Sequence, residues 1–219
     1  MFSCCKGKRR EGGDSNVKPP CQSPTEMFDA LGIKASLDDA DKKLIIQSGK
    51  MFKDINLIDR GVPFLVLFFK MYPGHLRYFK AFKSLTPDEL TSLPVTENHG
   101  RRVLEQMTNI VDCVNNPFKL KDLVIDLAYR HRMRRVRSRQ FKDMLILFIR
   151  FIKEELGPKF TQQHENAWSK LVAVILEVLE EEESKVSRAS SGTQNNAIAI
   201  ITSPEDTLSS STETHDQTP

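Results

Sequence analysis

Two histidines, His99 and His131, lie on the apolar stripes of two successive predicted helices. Residues three and four apart share a helix face, so each imidazole is expected to point inward with its stripe. A buried imidazole without a partner costs about 1–3 kcal/mol, and it therefore needs a hydrogen-bond partner or a metal. Two imidazoles from two helices could approach opposite faces of one flat metal cofactor, or each could be satisfied separately. The stripes are Leu120, Leu123, Val124, Leu127 and His131, and His99, Val103, Met107, Ile110, Val111 and Val114.

The segments that must position these histidines all show helical periodicity. Thr86–Glu89 provides a start signal, because a Thr cap is followed by a Pro in the first turn and a Glu three residues later. We expect the His99 helix to follow this signal and to stop at Asn115–Pro117, with the His131 helix after it. No segment combines β-branched alternation with hairpin turns, which predicts an all-α fold. The other predicted helices are 36–55, 62–71, 138–156 and 161–183.

The composition divides the chain into three parts. Residues 1–34 form a basic arm that carries cysteines and is rich in Gly, Ser and Pro. Residues 35–183 hold the periodic apolar stretches, and their length suits one domain. Residues 184–219 are dominated by Ser, Thr, Asn and acidic side chains, which predicts a disordered tail.

Charge, hydropathy and cysteine content argue against several classes of protein. The formal net charge of +3 is too small to indicate nucleic-acid binding by itself. No apolar run reaches the roughly 18–20 residues that span a bilayer, and a polar arm stands where a secretory signal would be. The four cysteines do not form a spaced disulfide framework, which favours a reducing compartment. We therefore expect a soluble or membrane-anchored chain.

A dense basic run begins beside His131. Six of the ten residues from Arg130 to Arg139 are arginines. Such a run could bind phosphates, and a solvated helix end and corner is the alternative. Because no aromatic side chains are interleaved for base stacking, we expect no nucleic-acid partner.

The N-terminal arm carries a separate signal. Cys4 and Cys5 are adjacent, and four of the next five residues are basic. This arrangement resembles a dual S-acylation site with a polybasic patch, and two such anchoring signals give stable membrane attachment. A flexible basic arm with free thiols is the alternative. Phe2 follows the initiator Met, so N-myristoylation is not supported.

Several motifs, taken in order and spacing, resemble those of the globin family. Pro73 shortly before Phe79 and Phe82 is similar to the corner that packs on haem in globins, and the two histidine segments are similar to the distal and proximal motifs. The resemblance covers about residues 36–183, and it looks closest to the neuroglobin and globin X branch. The motifs are Leu65–Pro73 followed by Arg77–Phe82, His99–Gly100 with Val103, Leu127–His131 with Val136, Leu156–Thr161 and Ala167–Leu171.

The resemblance implies a globin fold, a three-on-three helical sandwich around haem b (iron protoporphyrin IX). His131 would be the proximal iron ligand. His99 would face the sixth position, where it could donate a hydrogen bond to bound O2 or bind iron itself. Phe79 would stack on the porphyrin, and the rest of the apolar wall would be Phe82, Leu65, Val103, Leu127 and Val136.

The same resemblance assigns the polar groups of the site. Arg102 and some guanidiniums of the run Arg130–Arg139 could pair with the porphyrin propionates, because Arg suits carboxylates. We expect no polar group one turn from His99 on the side of the haem, since Val103 is apolar and Val95 precedes the predicted helix.

Two positions depart from the family pattern. Gly49 stands where many globins carry a Trp, so looser packing is expected between the first and last helices. Cys113 stands alone where some neuroglobins bridge a pair of cysteines.

Two classes of function compete. The resemblance favours a haem protein that binds O2 or NO in sensing, redox or oxygen transport, with a redox partner protein and a cytoplasmic location at the inner face of the plasma membrane. We expect a binding protein rather than an enzyme, with a redox side activity such as nitrite reduction left open. The alternative is a haem-free helical interaction module anchored at a membrane by its arm.

Overall fold

The computed structural model describes residues 34–82 and 84–201. These residues contain α-helices, short 3-10 helices and no strand, as the sequence predicted. Helices α1, α3 and α4 pack across α2, α5 and α6, which forms a three-on-three sandwich. The helices are α1 (Asp39–Asp54), α2 (Gly61–Met71), α3 (Pro94–Cys113), α4 (Pro117–Arg132), α5 (Ser138–Leu156) and α6 (Gln162–Ile201). The 3-10 helices are Leu57–Arg60, Pro73–Tyr78, Lys80–Phe82, Asp88–Ser92 and Gly157–Lys159.

The capping residues explain where helices begin and end. Asp38 caps α1 by accepting a hydrogen bond from the Asp41 N–H at 2.8 Å, so the cap lies two residues after Ser36, the predicted cap. Helix α5 has the predicted bounds, and Gly157 ends it with a φ of 54°, a left-handed value that glycine adopts at little cost.

The start signal at Thr86 precedes a short 3-10 helix and not, as we predicted, the His99 helix. Glu89 accepts hydrogen bonds from the Thr86 N–H at 2.6 Å and the Thr86 hydroxyl at 2.7 Å. These bonds lie at the start of the 3-10 helix Asp88–Ser92, whose N-cap is Pro87, rather than at the start of α3. Leu93 then takes an extended conformation, as residues before a proline do, and α3 begins at Pro94.

The first and last helices are closely packed, and the looser contact predicted at Gly49 is not found. Trp168 is fully buried, 5.7 Å from the Phe52 ring, and its Nε1–H donates to the Ser48 hydroxyl at 3.1 Å. Gly49 faces α3, where an added Cβ would lie 2.7 Å from a methyl carbon of Val111. Glycine is therefore needed there for close approach of α1 to α3.

Helices α2 and α3 cross at a pair of glycines. A Cβ added to Gly100 would lie 2.5 Å from the Gly61 carbonyl carbon, and one added to Gly61 would lie 2.4 Å from the Gly100 carbonyl carbon. Both positions therefore exclude any larger residue without movement of the backbone. Because Gly100 follows His99 in the chain, this crossing sets the position of His99.

The last helix extends past the predicted domain boundary. Its backbone is helical to Ile201, and the helix thus continues into the segment from residue 184 for which the sequence predicted a disordered tail. Lys185 explains part of the extension, since its ammonium lies 2.8 Å from a carboxylate oxygen of both Glu181 and Glu182. The predicted S-acylation site and residues 202–219 lie outside the described residues. No helix within residues 34–82 and 84–201 is long and apolar enough to cross a membrane.

Candidate functional site

A cavity of about 340 Å³ lies between α3 and α4 and extends to α5 and α6. His99 enters its wall from α3 and His131 from α4, so the two imidazoles singled out in the sequence face one space. The 3-10 helix Pro73–Tyr78 and the following residue close another side. The lining residues are Tyr78, Phe79, Val95, Asn98, His99, Arg102, Val103, Gln106, Met107, Ile110, Leu127, Arg130, His131, Arg134, Val136, Phe141, Met144, Leu145 and Ile175.

His131 is held by its own helix. Its Nδ1 lies 2.9 Å from the Leu127 carbonyl oxygen, and because a carbonyl can only accept, Nδ1 carries the hydrogen. The second nitrogen, Nε2, is then unprotonated and has a lone pair available. Burial lowers the pKa of His131, and the charges of Arg130 and Arg134 act in the same direction against the opposing effect of the Leu127 hydrogen bond.

His99 has no hydrogen-bond partner for its ring among the residues described. The edge of its ring meets the Phe79 ring, with centroids 5.1 Å apart and planes at 69°. Burial lowers the pKa of His99 to about 4, and the charges of His131, Arg134 and Arg102 add to this effect. The imidazole is therefore neutral at pH 7 and can act as a ligand or as a hydrogen-bond donor.

Most of the predicted wall lines the cavity, and two of its members do not. Phe79, Val103, Leu127 and Val136 line it, as does Arg102. Leu65, which lies on α2, is buried in the hydrophobic core of the domain instead. Phe82 lies behind the wall, because its ring stacks on Phe79 with centroids 5.1 Å apart and planes at 15°.

The expectation of an apolar surrounding for His99 is wrong. Val95 belongs to α3, and Asn98, Arg102 and Gln106 all line the cavity from the same helix. Their spacing of four residues, beside His99 on one face, was the signal in the sequence that could have identified them. The cavity is therefore apolar in part and polar along one edge of α3.

Three guanidiniums line the cavity and are exposed to solvent, which places them at its mouth: Arg102, Arg130 and Arg134. Two of them come from the basic run that the sequence singled out. Arg130 has an ion pair with Asp126 at 2.8 Å. The cavity thus combines an apolar interior with cationic groups that suit the carboxylates of an amphipathic ligand.

A buried side-chain nitrogen that lacks a hydrogen-bond partner is consistent with a cavity that holds a ligand. The Nε2 of Gln106 is buried and has no hydrogen-bond partner in the described part of the chain. An orphaned buried donor costs about 1–3 kcal/mol, so an occupant that supplies an acceptor would remove a penalty. No group of three or more His, Cys, Asp or Glu side chains within the described ranges could hold a metal ion, and two imidazoles suit a metal whose remaining ligands come from a cofactor.

Comparisons with known proteins agree with this arrangement. Residues 62–179, more than half of the chain, match the family model described as Globin. A protein named Globin from Nerita albicilla is 28% identical over 147 residues, which cover 67% of this chain and 94% of that protein. Cytoglobin-2 of Oryzias latipes is 26% identical over 142 residues, which cover 64% and 78% of the two chains. The crystal structure of ferric Aplysia limacina myoglobin aligns with a TM-score of 0.59 at 23% identity, covering 67% of this chain and 99% of that one, which shows a shared fold.

Proposed function

Because this chain belongs to the globin family, we propose that its cavity holds haem b and that the haem iron binds a diatomic gas, O2 or NO. One observation carries the proposal: the hydrogen bond from His131 Nδ1 to the Leu127 carbonyl at 2.9 Å. It fixes the tautomer and the orientation of the ring, so that Nε2 is the atom that would coordinate a metal. Metal-bound histidines are held in this way by a partner of their second nitrogen.

Each of the other lining groups has a task that its chemistry supports. Haem supplies an iron centre that binds diatomic gases reversibly. Phe79 and the aliphatic side chains of the wall would exclude water from the cavity, and Arg102, Arg130 and Arg134, which also line it, would pair with the two propionates. His99, neutral at pH 7, offers a ligand or a hydrogen-bond donor from α3, the second helix that carries a histidine into this cavity.

Titration of the apo-protein with hemin tests the proposal. We expect an intense Soret band that saturates at one hemin per chain. A His131→Gly variant is expected to lose the ligated spectrum and to regain it when free imidazole is added, because the small molecule fills the space of the missing ring. His164→Gln, a change outside the cavity, serves as the control. A wild-type chain that does not bind hemin, or a His131→Gly variant with an unchanged spectrum, would contradict the proposal.

We also propose that the protein is attached to the inner face of the plasma membrane through acyl chains on Cys4 and Cys5. The adjacent thiols and the basic residues that follow them support this, since two acyl chains anchor a protein stably. The described chain begins at Lys34, where the N–H groups of Lys34 and Ala35 donate to the Glu177 carboxylate at 2.7 and 2.8 Å. The first described residues, Lys34 and Ala35, are therefore bonded to α6.

A redox partner protein is the third partner that we propose, and the arginine corner, residues 129–137, is its docking surface. Tyr129 is 66% exposed and Met133 is 85% exposed, the two highest values among the large hydrophobic residues described as exposed. Arg, Tyr and Met are enriched in interfaces, and the basic charge calls for an acidic partner. Calorimetry at low ionic strength with flavodoxin, an acidic electron carrier, tests this docking surface. An Arg132→Glu/Arg135→Glu variant should bind flavodoxin more weakly than wild type. Equal binding would contradict the assignment.

A further inference from the structure

A polar contact that no sequence motif indicated joins the 3-10 helix Pro73–Tyr78 to α5. The Nε2 of His75 lies 2.8 Å from a carboxylate oxygen of Asp143, and the two side chains are only 14% and 27% exposed. A carboxylate accepts, so the hydrogen lies on Nε2 of His75. Sixty-eight positions separate the two residues in the chain, and the contact is therefore a tertiary link.

The ring of His75 is fixed on the opposite side by aromatic packing. It stacks on Phe68, with centroids 5.2 Å apart and planes at 28°, and on Tyr72, with centroids 5.6 Å apart and planes at 20°. The backbone N–H of His75 donates to the Tyr72 carbonyl at 3.0 Å. His75 thus braces the end of α2 against α5, because its flat faces are packed and its polar tip is bonded.

The braced segment leads directly to the residue that contacts His99. The Phe79 N–H donates to the Leu76 carbonyl at 2.9 Å, which ties Phe79 to the 3-10 helix. The Phe79 ring is stacked on Phe82 behind it and meets the His99 ring in front, each with centroids 5.1 Å apart. The position of the His99 imidazole therefore depends on where the braced segment holds Phe79.

We propose that the His75–Asp143 contact positions His99 in the cavity. It holds the segment that presses Phe79 against the His99 imidazole, and so it limits how often that imidazole moves aside. Neither residue lines the cavity, so both act through Phe79 as positioning residues. The consequence for ligands rests on the proposed haem function, whereas the control of His99 mobility is a property of the chain itself.

Variants of Asp143 separate the polar contact from mere packing. Asp143→Ala removes the acceptor, while Asp143→Asn keeps an acceptor oxygen for His75 and should rescue the wild-type behaviour. Glu154→Ala is the matched control, because it removes the acceptor of a polar contact on the same helix, 3.1 Å to Arg150, away from the cavity. His75→Phe keeps the aromatic stack and loses the hydrogen bond, so it repeats the test if Asp143→Ala folds poorly.

The first measurement uses NMR of the apo-protein and does not depend on haem. We expect Asp143→Ala and His75→Phe to speed hydrogen exchange of the Phe79 amide by roughly fivefold, the change that a loss of about 1 kcal/mol produces. The imidazole resonances of His99 should shift or broaden in the same variants. Asp143→Asn and Glu154→Ala should match wild type. Wild-type values in Asp143→Ala and His75→Phe would overturn the proposal.

The second measurement uses the protein loaded with haem. If His99 must move aside for an external ligand, carbon monoxide should combine with the ferrous Asp143→Ala protein roughly fivefold faster than with wild type, for the same change of about 1 kcal/mol. An unchanged or slower rate would overturn the proposal. Failure of wild type to bind hemin would instead contradict the haem function, and the NMR result would still decide the role of the His75–Asp143 contact.

Discussion

The crossing of α2 and α3 allows a quantitative prediction for Gly100→Ala. The new Cβ would lie 2.5 Å from the carbonyl carbon and the carbonyl oxygen of Gly61, whereas ordinary contact begins at 3.4 Å. The helices must therefore separate by about 1 Å, and because the clash is with backbone, no side chain can rotate away. Overpacking of this kind costs about 3 kcal/mol, and the better helix propensity of Ala returns about 1 kcal/mol. We expect a net loss of about 2 kcal/mol.

Urea unfolding of the apo-protein, followed by circular dichroism, measures this loss. Gly74→Ala is the matched control, since nothing lies within 4 Å of the Cβ it would add. It should be neutral or slightly stabilising, because Ala has less freedom than Gly in the unfolded chain. Gly61→Ala should cost about as much as Gly100→Ala, and the double variant should cost less than the sum, because either change already separates the same two helices. A Gly100→Ala protein as stable as Gly74→Ala would refute the reasoning.

Three further predictions concern titration and membrane attachment. Burial lowers the pKa of His164 below 6.5 in the folded chain, so the unfolded chain binds the proton more readily and stability falls as the pH drops below about 6.5. Unfolding curves of the apo-protein at pH 7.5 and 5 should therefore show a smaller loss of stability for His164→Gln than for wild type. An equal loss would count against this prediction. His99 acts with the same sign over the range from 6.5 down to about 4, so apo His99→Leu should also be less sensitive to acid. Finally, a Cys4→Ser/Cys5→Ser variant should move from the membrane fraction to the cytosol, and an unchanged distribution would remove the acylation proposal.

Local chemistry in the sequence predicted the helices, and the resemblance to globins implied most of the wall. The end of α5 was predictable because Gly157 and Pro158 interrupt the helical pattern after Leu156. The inward direction of His131 followed from helical spacing, and the Leu127 carbonyl that holds it is four residues away. Features set within one or two turns of helix are therefore accessible to sequence reasoning.

Contacts between distant segments were not predictable in the same way. Phe82 and Leu65 are apolar and suitably spaced, but whether they line the cavity depends on a second layer of packing behind Phe79. The bond between His75 and Asp143 joins segments 68 positions apart, with no local pattern at either end. The extension of α6 was missed because its polar composition suggested disorder, while ion pairs along the helix, such as Lys185 with Glu181, support it.

The ferrous protein without external ligand offers the most direct test that His99 and His131 serve one haem. Because both imidazoles line one cavity and are free of a proton on at least one nitrogen, we predict a low-spin, six-coordinate absorbance and resonance Raman signature. The same spectra of His99→Leu should become five-coordinate and high-spin, with His131 as the remaining ligand. A five-coordinate, high-spin wild-type protein would contradict direct ligation by His99, and a protein without any haem spectrum would contradict the account as a whole.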